Sequence, residues 1–278
     1  MKLIADSGAT KTAWTLLGAR TRKSFQTQGL SPYYFTSEQI AETLKTELLP
    51  ELGKKEITAI NYYGTGCATA PMQKIVADGL KMAFKTAEEI EVQSDLFAAA
   101  RALCGHEKGI ACILGTGSNS CVYNGKKITR NNPAPGYVLG DEGSGAYLGK
   151  KVLQHFIYGT FDDDLLHRFK EKFHTEYREI LDNVYKKPWP NRYMAGFTTF
   201  LSENRGHYMI ENILEDGISD FFITHLFKYP ETWTLPVNFC GSIAWHFKDK
   251  IRELCDAFQV QPGQILQAPM EGLVNYHK

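Results

Sequence analysis

Residues 1–17 read MKLIADSGATKTAWTLL. A short apolar run ends on Asp6, passes through Ser-Gly-Ala-Thr-Lys-Thr and turns apolar again. Lys2 to Ala5 and Ala13 to Leu17 have the length and character of buried strands. Asp6 to Thr12 is then the loop of a strand–loop–strand hairpin. Asp-Ser-Gly is common chemistry for a plain β-turn, while a carboxylate, a lysine, three hydroxyls and a glycine also suit a phosphate-holding loop. Two familiar phosphate motifs are ruled out. A Walker-type loop needs glycine directly before the lysine, and here Thr10 precedes Lys11. A dinucleotide fingerprint needs further glycines and a following helix, and Gly8 has neither.

Bulk properties narrow the class. A length of 278 residues suits one large domain or two ordinary ones, and a 43% apolar fraction supports a real core. Lys plus Arg and Asp plus Glu number 31 each, which argues against a broad nucleic-acid surface. No stretch approaches the ~20 apolar residues that cross a bilayer, and Asp6 and Lys11 interrupt any early signal-like region. The six cysteines include no Cys-x-x-Cys pair and read as small buried hydrophobes in a reducing compartment. A cytoplasmic protein with no nucleic-acid or membrane partner is expected. The eight histidines are scattered and His-Glu-x-x-His is absent, so zinc has little support.

An order of elements recurs. The first part predicts strands at Lys2–Ala5, Ala13–Leu17 and Lys23–Gln28, and a helix from Ser37, as N-cap, to Leu49, closed before Pro50. A strand at Ile57–Tyr63, a helix at Pro71–Phe84, a strand at Ile90–Gln93 and a helix capped by Ser94 or Asp95 and ending at Cys104 follow. From Gly109 the chain predicts strands at Ile110–Leu114, Ser120–Tyr123 and Lys127–Arg130, the last two joined by the strong Asn124-Gly125 turn. Helices follow at Ser144–Tyr158 and through Asp163–Leu226. Then come a strand at Val237–Cys240, a helix at Ser242–Phe258, a strand at Ile265–Gln267 and a short last helix. Both parts read β-β-β-α-β-α-β, the second with inserted helices, as two related lobes would. The loops Asp6–Thr12 and Gly115–Ser118 then hold equivalent places. Facing each other across a cleft, they would grip one polyphosphate with backbone N–H groups, with glycine allowing close approach.

These residues resemble a known family. DSGATKT (6–12), SDLFAAARAL (94–103), ILGTGSNS (113–120), GYVLGDEGSGAYLG (136–149), FCGSIA (239–244) and GLVNYH (272–277) are similar, in order, to motifs of N-acetylglucosamine kinase and the related BadF/BadG/BcrA/BcrD-type ATPases. Those belong to the sugar kinase, Hsp70 and actin superfamily. The resemblance implies an α/β, two-lobed actin-like ATPase (ribonuclease H-like) fold. The N-terminal lobe would span 1–106 and the C-terminal lobe 107–278, with the last helix packing back on the N-terminal lobe.

The resemblance also implies roles. ATP and Mg2+ would be the cofactors, and a small amino sugar, N-acetylglucosamine at its 6-hydroxyl, the acceptor. Asp6 would hold magnesium through water. Ser7, Gly8, Thr10, Lys11 and Thr12 would line the first phosphate loop and Gly115, Thr116 and Gly117 the second. Gly241 and Ser242 would open the helix beside the adenosine. Asp95 would be the catalytic base and touch the sugar, with Ser31, Gly136 and Asp141 as further sugar contacts. A homodimer is an open expectation. A carboxylate base suits a sugar hydroxyl, a poor nucleophile until its proton is accepted. The residue types alone also fit Asp95 as a helix N-cap and Asp141-Glu142 as a solvated acidic turn.

Two stretches depart from the family pattern. Ser31, in GLSPYYF (29–35), stands where relatives carry a sugar-holding asparagine, and Pro133-Ala134-Pro135-Gly136 stands where they often carry Gly-Gly-Trp-Gly. Both lie on the sugar side and leave the phosphate loops intact. Two other functions fit the same fold. One is an ATPase activating a partner enzyme, such as a 2-hydroxyacyl-CoA dehydratase, though no cysteine here lies in the Cys-Ala-Ala-Gly-Thr-Gly-like loop such proteins use for an iron–sulfur cluster. The other is a catalytically silent sugar-binding regulator.

Overall fold

A computed structural model describes residues 1–8, 10–19 and 21–278; Ala9, inside the first loop, lies outside the described residues. The chain divides into two compact units, 1–106 with 269–278, and 107–268.

In the first unit a five-stranded sheet has the order β3-β2-β1-β4-β5. Its strands are β1 (Lys2–Ser7), β2 (Lys11–Gly18), β3 (Thr21–Gln28), β4 (Ala59–Gly64) and β5 (Glu89–Ser94). The hairpin strands β1, β2 and β3 pair antiparallel, while β1, β4 and β5 pair in parallel. Leu3, Ile4 and Ala5 are fully buried, as a central strand covered on both faces requires. Leu3, Ala5, Trp14, Ile60 and Tyr62 share a core with Ile40, Leu44, Val76 and Leu80 from α1 (Ser37–Thr43), the turn after it and α3 (Ala70–Ala83). The indole N–H of Trp14 is spent on Thr27 Oγ1 at 3.0 Å. The terminal helix α13 (Met270–Tyr276) lies against α4 (Asp95–Cys104) so closely that a Cβ on Gly272 would meet the Ala102 carbonyl at 2.3 Å.

The first helix differs from expectation in two ways. Its N-cap is Thr36, not Ser37, because Thr36 and Gln39 complete a capping box. Nor does it stop before Pro50. Proline lacks an N–H and its ring clashes with the carbonyl four residues back. A π turn at Leu44–Leu48 makes room, with the Leu49 N–H reaching Leu44 O, and α2 (Leu49–Leu52) carries the proline in its first turn.

The second unit repeats the sheet, in the order β10-β9-β6-β7-β8. Its strands are β6 (Lys108–Leu114), β7 (Ser118–Asn124), β8 (Ile128–Asn131), β9 (Val237–Cys240) and β10 (Pro262–Leu266). Again the hairpin strands are antiparallel and β6, β9 and β10 parallel. Helix α5 (Gly145–Ile157) follows the hairpin. Helices α6 (Asp163–Phe173), α7 (Tyr177–Tyr185), α8 (Pro190–Ala195), α9 (Thr198–Glu203) and α10 (Tyr208–Thr224) form the insertion. Phe169 anchors it, with rings of Phe156, Phe173 and Phe197 at 4.3, 4.9 and 5.9 Å. The single helix expected over 242–258 is broken at buried Phe247 into α11 (Ser242–His246) and α12 (Lys248–Ala257). The duplicated strand order is that of the actin-like ATPase fold.

Candidate active site

In the first unit, β1 runs two residues further than its apolar run suggested. Asp6 pairs with Ala13 and Tyr63, and Ser7 with Thr12 and Gly64. The hairpin closes through the Gly8 N–H donating to Lys11 O at 3.0 Å. This separates the loop residues into two groups. Ser7 and Thr12 are buried; their hydroxyls bond each other at 2.7 Å, Thr12 donates to Gln28 O, and Ser7 accepts from the Leu30 N–H. Gly8, Thr10 and Lys11 are exposed. The first two hydroxyls therefore brace the loop, and the exposed three are the ones able to meet a ligand.

Asp6 is a partly exposed residue whose carboxyl is pushed up to about 6, first by burial and then by the charge of Asp95. Two carboxylates in mutual repulsion suit a nearby cation. Among the described residues no cluster of three or more His, Cys, Asp or Glu could hold a metal. The donor set fits a hydrated magnesium, which keeps most of its waters and takes one or two carboxylates.

Asp95 opens α4, but the cap is Ser94, whose Oγ accepts from the Phe97 N–H. The Asp95 carboxylate is thus not the acceptor of the Phe97 N–H. Its Oδ1 accepts from the Leu96 N–H at 2.8 Å and its Oδ2 from the Thr65 hydroxyl at 2.9 Å. Thr65 follows the end of β4 and escaped the sequence reading. The signal was there in Gly64-Thr65-Gly66, the same tripeptide as Gly115-Thr116-Gly117. Gly66 has φ +89°, and a Cβ there would meet Ser31 Oγ and the Tyr33 ring at 3.0 Å. Ser31 is 2% exposed and its Oγ has no hydrogen-bond partner among the described residues. The Ser31 loop is anchored by Tyr62, whose hydroxyl donates to Leu30 O.

In the second unit the Gly115–Gly117 turn is held from several sides. The Gly115 N–H donates to Gly117 O, and the Gly145 and Ala146 N–H groups of α5 donate to Gly115 O and Thr116 O. The Ser118 N–H donates to Asp141 Oδ1. These bonds leave the Thr116 and Gly117 N–H groups as the donors of the turn suited to an anion. Gly241, at φ +129°, passes so close to β6 that a Cβ would lie 2.2 Å from Leu114 O; Ser242 beside it is exposed. Asp141 is 8% exposed, adopts φ +60° and has its ionisation pushed up mainly by burial. Its carboxylate lies against Gly117, while Gly136, earlier in the same segment, is half-buried. Glu142 is no solvated turn residue. It is half-buried, with the Nε2 of buried His225 at 3.7 Å.

A candidate N-acetylglucosamine kinase from Porphyromonas gingivalis superposes with a TM-score of 0.94 at 37% identity, over 100% of this chain and 98% of that one. The chain belongs to the N-acetylglucosamine kinase-like family. A curated N-acetylmuramic acid/N-acetylglucosamine kinase from Clostridium acetobutylicum is 22% identical over 204 residues, 68% of this chain but only 65% of that relative's length. A ROK family glucokinase from Streptomyces griseus, solved with glucose and AMPPNP, shares the fold at 15% identity, with a TM-score of 0.57 and 99% and 97% coverage. No protein-family model matches the chain. No helix among the described residues is long and apolar enough to cross a membrane.

Proposed function

We propose that the protein is an ATP-dependent sugar kinase that phosphorylates an amino sugar, foremost N-acetylglucosamine at its 6-hydroxyl. The observation that carries this reading is Asp95, a half-buried carboxylate fixed at both oxygens while Ser94 takes the N-cap position, in a chain of this family. As the sugar oxygen bonds to the γ-phosphorus, Asp95 accepts the hydroxyl proton; the bond from the γ-phosphorus to the bridging oxygen breaks and ADP leaves. The Thr116 and Gly117 N–H groups and exposed Gly8, Thr10 and Lys11 are the phosphate-binding groups. Gly241 and Ser242, at the start of α11, are the residues beside the adenosine in this reading. Ser31 offers an unspent buried hydroxyl to the sugar. Magnesium, held through water by Asp6, would neutralise phosphate charge and align the transferring group.

The test is ADP release over a panel containing N-acetylglucosamine, glucosamine, N-acetylmannosamine, N-acetylmuramic acid and glucose, with the phosphorylated position read by NMR. Sugar-dependent ADP release with phosphate on the 6-oxygen of N-acetylglucosamine is expected. ADP release indifferent to every sugar would overturn the reading.

A further inference from the structure

The Asp95 carboxylate depends on a residue 30 positions earlier. Its Oδ1 is engaged by the adjacent Leu96 N–H, a contact that moves with Asp95 itself. Its Oδ2 is engaged by Thr65, which belongs to another element. A carboxylate can only accept, so this bond commits the one hydroxyl proton of Thr65. Thr65 is itself fixed. Its N–H donates to Ser7 O at 2.9 Å, tying it to the end of the strand that carries Asp6. The next residue, Gly66, has φ +89° and is packed tightly against Ser31 and Tyr33. The threonine thus joins the three pieces of the first unit that bear Asp6, Ser31 and Asp95.

We propose that Thr65 is a positioning residue that aims the Asp95 carboxylate for proton transfer, an inference that rests on the kinase reading above. With Oδ2 tethered to a stiff β-branched side chain, rotation of the carboxylate is restricted, and the lone pairs left over keep one direction. A base held in one orientation gives up less freedom on reaching the reacting geometry, so its loss shows in turnover more than in binding. Thr65 is not required to touch the sugar or ATP for this.

The experiment is steady-state ADP-release kinetics on the amino sugar that wild type uses best, with Thr65→Val, Thr65→Ser and each in an Asp95→Asn background. Valine keeps the shape and branching and removes only the hydroxyl. Thr65→Val should lower kcat ~10-fold or more with both KM values within ~3-fold, and Thr65→Ser should recover most of the loss. In the Asp95→Asn background, Thr65→Val should change kcat by less than ~2-fold, because the residue acts through Asp95. Wild-type kcat in Thr65→Val overturns the assignment. So does Thr65→Ser as slow as Thr65→Val, or an undiminished effect in the Asp95→Asn background. A wild type that transfers phosphate to no sugar overturns the kinase reading itself, and the role of Thr65 with it.

Discussion

The Ser118 N–H donates to Asp141 Oδ1 at 3.2 Å. One carboxylate therefore ties the glycine turn after β6 to the Gly-Asp-Glu-Gly-Ser turn before α5. A Cβ on Gly117 would come within 2.9 Å of Asp141 Oδ2, so the glycine is what lets the two turns meet. Asp141 holds φ +60°, a conformation that aspartate tolerates better than most residues because its short polar side chain can bond nearby backbone. A residue whose pattern suggests sugar binding thus also braces the Gly115–Gly117 turn.

Replacing Asp141 with alanine leaves the Ser118 N–H unpaired in a buried place. An unsatisfied buried donor costs ~1–3 kcal/mol, and part of that falls on the turn that carries Thr116 and Gly117. Asp141→Ala should raise the KM for ATP as well as that for sugar, by roughly 5–150-fold if the full cost reaches binding. Kinetics with each substrate varied in turn check this. A rise confined to the sugar KM would mean that the brace is dispensable.

Asp6 gives a pH dependence with a definite sign. Its carboxyl is pushed from the ordinary 3.8 up to about 6 by burial and then by the charge of Asp95. Between these values the folded chain keeps a proton that the unfolded chain has released. Stability contributed by this group therefore falls as pH rises from about 4 to about 6 and stays lower above. Asp6→Asn does not titrate, so its Tm should gain on wild type across that interval. Thermal melts from pH 4 to 7.5 decide it; parallel profiles would refute it.

The hairpins, the parallel strands and the repeated order were legible because they rest on local signals: apolar runs, turn residues and helix starts. What escaped is partly local competition and partly long-range contact. Thr36 and Ser37 are equally good caps by type, and only Gln39, three residues after Thr36, selects the former. The hydroxyls of Ser7 and Thr12 have phosphate-loop chemistry, yet strand pairing turns them toward each other and Gln28. Thr65 meets Asp95 only because β4 and β5 lie side by side. His225 reaches Glu142 from the end of α10, 83 positions away by their numbers. No short window of sequence contains these last two pairs.

Asp95 separates chemistry from binding. Asparagine keeps the size of the side chain and an oxygen for the Thr65 hydroxyl, but it cannot accept a proton at the reacting pH. Asp95→Asn should fold normally, bind sugar and nucleotide nearly as wild type does, and lose ~10² or more in kcat. Calorimetric titration of the sugar together with ADP-release rates gives both halves. Near-normal turnover would remove Asp95 from the role of base.

Ser31 should trade stability against recognition. Its Oγ is buried with no partner among the described residues, and a buried hydroxyl without a hydrogen bond costs ~1–3 kcal/mol on protein mutational scales. Removing it with Ser31→Ala therefore leaves the ligand-free Tm unchanged or raises it by a few degrees, on the order of 1 kcal/mol of folding stability. If the hydroxyl is kept for the sugar, the same change weakens the complex, and sugar KM rises ~5–10-fold as one neutral hydrogen bond is lost. The larger Ser31→Asn has little room, since the loop at Gly66 already packs against Ser31 Oγ and the Tyr33 ring. It should lower Tm unless the loop shifts. Melts with and without sugar on the two variants read both effects. A Ser31→Ala protein with lowered Tm and unchanged sugar KM would make Ser31 a packing residue and remove it from the sugar site.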